Sequence, residues 1–244
     1  MIGYRRASGL FAVILGCAAI LSVHSDALGR GSLAIHESFQ TLSEWEPLTF
    51  DDIERGTDYS IDRSNSETVL LIESNDGGSG LTHRQVFDVY ENPILRWRWK
   101  VEDVISAGDL RTREGDAYPV RLYVNFEYDP EMVGFGTRML YRAARLRFGE
   151  YPPHGSIMYI WSNREWPLRW YPNAFTDRAR MLPIDQGRSR LMTWRTHRRN
   201  IVEDYRAAFG EDPPARAQLA IMGDSWGTGE TSRAWIDFIS VGPE

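Results

Sequence analysis

The chain has 244 residues, of which 42% are hydrophobic, 25% charged and 12% aromatic, and its formal net charge is −6. That composition excludes a disordered, collagen-like, coiled-coil or polytopic membrane chain. The acidic balance argues against nucleic acid as a partner.

Residues 1–29 read as an export signal. Arg5 and Arg6 give a positive start, Gly9 to Val23 is an apolar run without a charge, and small residues follow. The run is shorter than the ~20 residues that span a bilayer. Cleavage after Ser25 or Gly29 suits the small-residue rule. The single cysteine, Cys17, lies inside the apolar run, in a segment only loosely like a lipoprotein signal. Removing residues 1–29 takes the only thiol with it and changes the net charge from −6 to −7. The expected setting is periplasmic or secreted, with residues 30–244 forming one domain.

Arginine almost replaces lysine, with 27 arginines against the single Lys100. Genomic base composition explains such a bias, and so does a need for planar guanidinium contacts.

Along the remaining chain the dominant signal is alternation with period two, the mark of half-buried strands. The candidates, in order, are Thr68–Glu73, Leu81–Val89, Leu95–Val101, Val120–Glu127, Ser156–Trp161, Gln218–Met222 and Arg233–Val241. In the third, Leu95, Trp97, Trp99 and Val101 share one face, and Arg96, Arg98 and Lys100 make a cationic outer face. In the fourth, Val120, Leu122, Val124 and Phe126 face the core and Arg121, Tyr123, Asn125 and Glu127 face away. Two segments have helical spacing. Met132 to Phe148 carries Arg138, Arg142, Arg145 and Arg147. Asn200 to Phe209 has a capping residue at its start and Gly210 at its end. Strands that are not separated by regular helices predict a mainly β fold. The expectation is a single antiparallel β-sandwich, jelly-roll-like, with two short helical insertions.

Several of these blocks resemble a known family. They are Leu95-Arg96-Trp97-Arg98-Trp99-Lys100-Val101; Thr112-Arg113-Glu114-Gly115-Asp116 with Arg121-Leu122-Tyr123-Val124; and Tyr159-Ile160-Trp161-Ser162-Asn163. Arg199-Asn200, Asp204-Tyr205, Phe209-Gly210 and Ala220-Ile221-Met222-Gly223-Asp224 complete the set. In order and spacing the chain resembles the bacterial domain-of-unknown-function 3047 family. The resemblance implies a secreted bacterial domain without an assigned activity, and it carries over no catalytic residue. The chain departs from the family pattern at Ala117, Trp226 and Gly227, where acidic residues and an Asn are expected.

Candidate functional residues follow from chemistry. The Arg121, Tyr123, Asn125 and Glu127 face combines an aromatic ring with planar polar groups that suit sugar hydroxyls. Trp161 and Asn163 extend it into an aromatic loop with Trp166 and Trp170. Asp224, Glu230 and Asp237 supply oxygen ligands of the kind calcium prefers. Glu114 with Asp116, and Glu127 with Asp224, are carboxylate pairs to weigh for glycosidase or lyase chemistry. Gly223-Asp224-Ser225 looks like a hydrolase nucleophile block, but no histidine follows it. The histidines after residue 29 lack the i+2 or i+4 pairing of a zinc site. The reading favoured is an exported, non-catalytic binding module for a carbohydrate or other cell-envelope ligand. The alternatives are a glycosidase or polysaccharide lyase, and an interaction protein that contacts the membrane through the Arg-rich helix at 138–147.

Overall fold

The structure, a computed structural model, describes residues 33–64, 67–149 and 151–244. The export segment expected at 1–29 and Cys17 lie outside the described residues. The first strands are β1 (Ile35–Glu37), β2 (Trp45–Leu48), β3 (Asp58–Asp62), β4 (Val69–Asn75), β5 (Gly78–Asp88) and β6 (Ile94–Val101). They are followed by β7 (Tyr118–Phe126), helix α1 (Phe135–Phe148), β8 (Gly155–Ser162), β9 (Tyr171–Pro172) and β10 (Ala179–Gln186). Strand β11 (Arg195–Asn200), helix α2 (Ile201–Phe209), β12 (Arg216–Asp224) and β13 (Thr231–Gly242) complete the chain.

The strands make two sheets, and among the described residues 44% are in strands against 12% in helices. One has the order β11-β6-β13-β4-β3, with β1 added to β13. The other has the order β2-β5-β12-β7-β8-β10-β9. This is the mainly β sandwich that alternation predicts, and the pairing among the described residues is antiparallel with one exception. After β8 the chain makes the two-residue edge strand β9 and turns back, so β10 slots in parallel to β8.

Alternation places the core between the sheets. Leu95, Trp97, Trp99 and Val101 of β6 meet Val120, Leu122, Val124 and Phe126 of β7 in one apolar cluster. Trp97 lies 4.7 Å from Tyr159 of β8, ring centre to ring centre, so the aromatic contacts cross from sheet to sheet. Burying such rings dominates the stability of a fold of this kind.

Two buried carboxylates pin the edge of the sandwich. Asp185 of β10 accepts from the Trp99 indole at 2.7 Å, the Arg195 guanidinium at 2.9 Å and His197 at 2.6 Å. Asp204 of α2 accepts from the Tyr159 hydroxyl at 2.6 Å and from Arg199. Each is compensated several times over, which is what permits its burial.

The helices start and stop where their ends can be satisfied. Asn200 accepts from the Val202 and Glu203 amides, and Gly210 closes α2 in the left-handed conformation at φ 77°. Helix α1 begins later than the expected Met132. Pro130–Met132 forms a separate 3₁₀ turn capped by Asp129, and Gly134 breaks the path between them.

Candidate functional site

The outward face of β7 is not a ligand-facing surface. Arg121, Tyr123 and Asn125 do point away from the main core. They lie under a second apolar layer that includes Leu110, Tyr118, Met158, Tyr171, Met181 and Met222. Arg121 is 2% exposed and donates to Asp116 at 3.0 Å and to Asp224 at 2.6 Å. The Tyr123 hydroxyl donates to the Met222 sulfur, and Asn125 accepts from the Ser156 hydroxyl at 2.8 Å. Glu127 alone is exposed, at the end of the strand, and pairs with Arg216 at 2.6 Å. Trp161 faces the main core and is fully buried, its indole donating to the Gly187 carbonyl. Asn163 donates to the Ser106 and Gly108 carbonyls and holds that loop in place. Leu110 from the loop at 104–117, Trp166 from the loop at 163–170 and Tyr171 of the short β9 pack into that layer, and strand alternation alone does not reveal such a cover.

The three candidate metal ligands do not converge either. Asp224 is committed to Arg121 and to the Trp226 amide. Glu230 accepts from the Ser106 and Ala107 amides, both at 2.9 Å. Asp237 pairs with Arg98 at 2.9 Å in the other sheet. Among the described residues no three His, Cys, Asp or Glu side chains gather as metal ligands. The donor set does not fit calcium, because its charges are already neutralised by arginines or backbone amides.

The carboxylate pairs fare similarly. Asp116 and Asp224 flank one buried guanidinium, while Glu114 is exposed on a loop. Burial pushes the Asp224 carboxyl up to about 6 against the opposing pull of Arg121. Ser225 is wholly buried, and its hydroxyl is bonded to that of Ser74 at 2.7 Å. It is a structural turn residue rather than a nucleophile.

The open chemistry lies on the opposite sheet. A cleft of about 340 Å³ is lined by Asp62, Glu67, Val69, Arg98, Lys100, Trp194 and Trp235. Its floor is built by register. Lys100 of β6 sits directly across from Trp235 of β13, so an ammonium and an indole share the outer face. Trp194, immediately before β11, brings a second indole to the other side.

The Lys100 ammonium lies 4.7 Å from the centre of the Trp194 ring and 4.6 Å from that of Trp235. The Arg98 guanidinium lies over the Trp194 ring at 4.9 Å. Asp237 at 2.9 Å and Glu67 at 3.7 Å balance Arg98. No carboxylate among the described residues lies within ion-pair distance of Lys100. The two ring faces hold its charge, with the Asp62 carboxylate acting on it at longer range; a cation–π contact is worth roughly 0.5–1 kcal/mol at an exposed site. Asp62 accepts from the Trp235 indole at 3.3 Å, and hydrogen bonds from Ser64 lower its pKa, so it remains ionised.

A second recess of about 550 Å³ is lined by Glu54, Arg55, Gly56, Thr57, Asp58 and Asn75. It offers no aromatic face.

The cationic outer face of Arg96, Arg98 and Lys100 was the part of this cleft visible in the sequence. Trp235 was not singled out, although it lies between the core residues Ala234 and Ile236 and directly across from Lys100.

The two sheets define an antiparallel β-sandwich of the jelly-roll-like kind. The chain belongs to the family described as a protein of unknown function, DUF3047, whose model matches residues 43–240. No curated protein matches it in sequence. Among solved structures it is similar to the K1 cleaved adhesin domain of Lys-gingipain from Porphyromonas gingivalis W83. There the identity is 11%, the coverage 86% of this chain and 98% of that one, and the TM-score 0.38. It is similar also to the family 30 carbohydrate-binding module of a cellulosomal cellulase of Clostridium thermocellum. That match has 13% identity, covers 87% of this chain and 94% of that one, and has a TM-score of 0.37. A third is the carbohydrate recognition domain of Emp46p in its metal-free form, at 12% identity, 86% and 93% coverage and a TM-score of 0.39.

Proposed function

We propose that this protein is a non-catalytic binding module for a carbohydrate, and that the ligand enters the cleft between Trp194 and Trp235. The observation that carries the reading is the half-buried Trp194 indole on a polar sheet surface, with Lys100 between it and the Trp235 ring, which is 8% exposed beneath that lysine. A pyranose has an apolar C–H face and a rim of hydroxyls. The indoles match the first, and Asp62, Glu67, Arg98 and Lys100 match the second. The Lys100 ammonium makes no close ion pair and interacts with Asp62 only at longer range, so a ring entering the cleft displaces it from an indole chiefly at the cost of a weak cation–π contact. A saccharide bearing a carboxylate or another acidic group gains the Lys100 charge in addition.

The glycosidase or lyase alternative has less support, since the buried carboxylates Asp116 and Asp224 are both spent on Arg121. The proposed setting is the bacterial periplasm or exterior, and residues 1–29 are the support for it. A cell-envelope polysaccharide is the ligand that setting favours.

Electrophoresis through gels containing soluble polysaccharides tests the reading. The wild-type chain should be retarded by at least one polysaccharide. Trp194→Ala should lose that retardation while unfolding at the same temperature. Equal retardation of both proteins, or of neither by any polysaccharide offered, would overturn the assignment.

A further inference from the structure

We infer that helix α1 is an interfacial element that lays its apolar side onto an anionic phospholipid surface. A helix on a globular domain ordinarily turns its apolar stripe inward. Here the stripe faces water. Leu146 is 90% exposed, Phe135 78%, Leu140 71% and Met139 48%. At 100° per residue, Phe135, Met139 and Leu146 fall within one narrow sector of the helix, and Leu140 lies about 100° round from Met139 with Arg147 between them.

The opposite side is the one held by the protein. Thr137, Tyr141 and Ala144 are half-buried there. The Tyr141 ring stacks on Tyr128 with centres 4.2 Å apart, and its hydroxyl donates to the Pro153 carbonyl at 2.9 Å. The helix is therefore docked by a polar and aromatic side and presents its greasy side outward. Contiguous exposed apolar side chains of this kind mark a docking surface.

The charges select the occupant. Arg138, Arg142, Arg145 and Arg147 lie in the helix and no acidic residue does, in a chain whose net charge is −6. On the helical projection Arg138, Arg142 and Arg145 flank the sector of Phe135, Met139 and Leu146 on one side, and Arg147 lies on the other, next to Leu140. Arg145 reaches over the Tyr151 ring at 4.8 Å, at the foot of the helix. An apolar stripe bordered by arginines is complementary to lipid chains beneath a layer of phosphate charge. A second copy of this acidic chain would not supply that negative layer at the matching depth. Val133 and Met132 continue the apolar surface into the preceding turn, where Met132 is also exposed.

The inference is independent of the saccharide cleft, which lies on other elements. Cosedimentation with vesicles tests it, using phosphatidylcholine alone and phosphatidylcholine with about one-third phosphatidylglycerol. The comparison is between the full chain and the same chain carrying Leu140→Asp and Leu146→Asp, so any pull from residues 1–29 cancels. Both leucines are exposed, so the variant should keep the wild-type unfolding temperature. The expected result is at least tenfold tighter binding of the wild type to the anionic vesicles, with that difference lost in the variant. Arg142→Glu should weaken anionic binding severalfold, and 0.5 M salt should do the same by screening. Equal sedimentation of wild type and Asp variant would overturn the inference. So would a concentration-dependent dimer that the Asp substitutions dissociate, without vesicle binding.

Discussion

Replacing Arg121 with methionine should cost far more than the loss of one surface contact, and the cost should depend on pH. Methionine keeps much of the stem volume but removes the charge that sits between Asp116 and Asp224. Both carboxylates then stay buried opposite no cation. Breaking a buried ion pair from one side typically costs about 3–5 kcal/mol. For a domain of this size that corresponds to a fall in melting temperature on the order of 10 °C. The sign of the pH dependence follows from Asp224. Burial raises its folded pKa to about 6, above the unfolded value. A raised carboxyl carries its burial penalty only when ionised. The penalty is absent at low pH and complete above the folded pKa. Without Arg121 that pKa rises further and the penalty grows. The loss of stability in Arg121→Met should therefore be larger at pH 8 than at pH 5. Denaturant unfolding of both proteins at the two pH values measures it. A loss under ~1 kcal/mol, or one equal at pH 5 and pH 8, would refute the claim that this arginine neutralises buried charge.

Three further outcomes are expected. His83 and His154 are held below the usual imidazole pKa by burial, with Arg178 adding to the effect at His154. Their unfolded forms take up protons at ~6.5 while the folded forms do not, so stability is complete above that pH and falls as pH drops from 7.5 to 6. His154→Gln should flatten that slope, as thermal melts across the interval will show. Below about 6, protonation of Asp224 works in the opposite sense. Asn200→Ala removes the acceptor for two α2 amides and should cost ~1 kcal/mol in denaturant unfolding, with Asn200→Asp near neutral. Reductive ¹³C-methylation of the single lysine should give one side-chain resonance, shifted upfield by the Trp194 and Trp235 rings and moved part of the way back by Trp194→Ala. A resonance at the position of a free methylated lysine would contradict the cleft geometry.

The parts of the fold that bury an alternating pattern were readable in the sequence. Strands β4, β5, β6, β7, β8, β12 and β13 all fall on predicted segments, because one face of each is continuous with the core. The strands without that pattern were not. Strand β11 reads Arg-Thr-His-Arg-Arg-Asn, with no apolar alternation, and exists as an edge strand paired to β6. Strand β10 contains Pro183, and β3 is a short edge. Helix α2 was legible from its caps, which are local chemistry. The candidate face on β7 was identified as facing away from the core, yet what covers it comes from the irregular loop just before that strand and from the segment after β8, neither of which shows an alternating pattern. The cleft draws on β3, β6, β13 and the residue before β11. Since two of its walls come from strands that the pattern hides, only its cationic floor was visible beforehand.

The most direct test of the saccharide cleft is a titration of the indole N–H resonances with a polysaccharide fragment that retards the protein. Trp194→Phe and Trp235→Phe identify the two cleft signals. The account predicts that these two move with ligand while those of the buried Trp97, Trp99 and Trp161 stay in place. Movement confined to Trp166 or Trp170, with the cleft indoles unchanged, would contradict it.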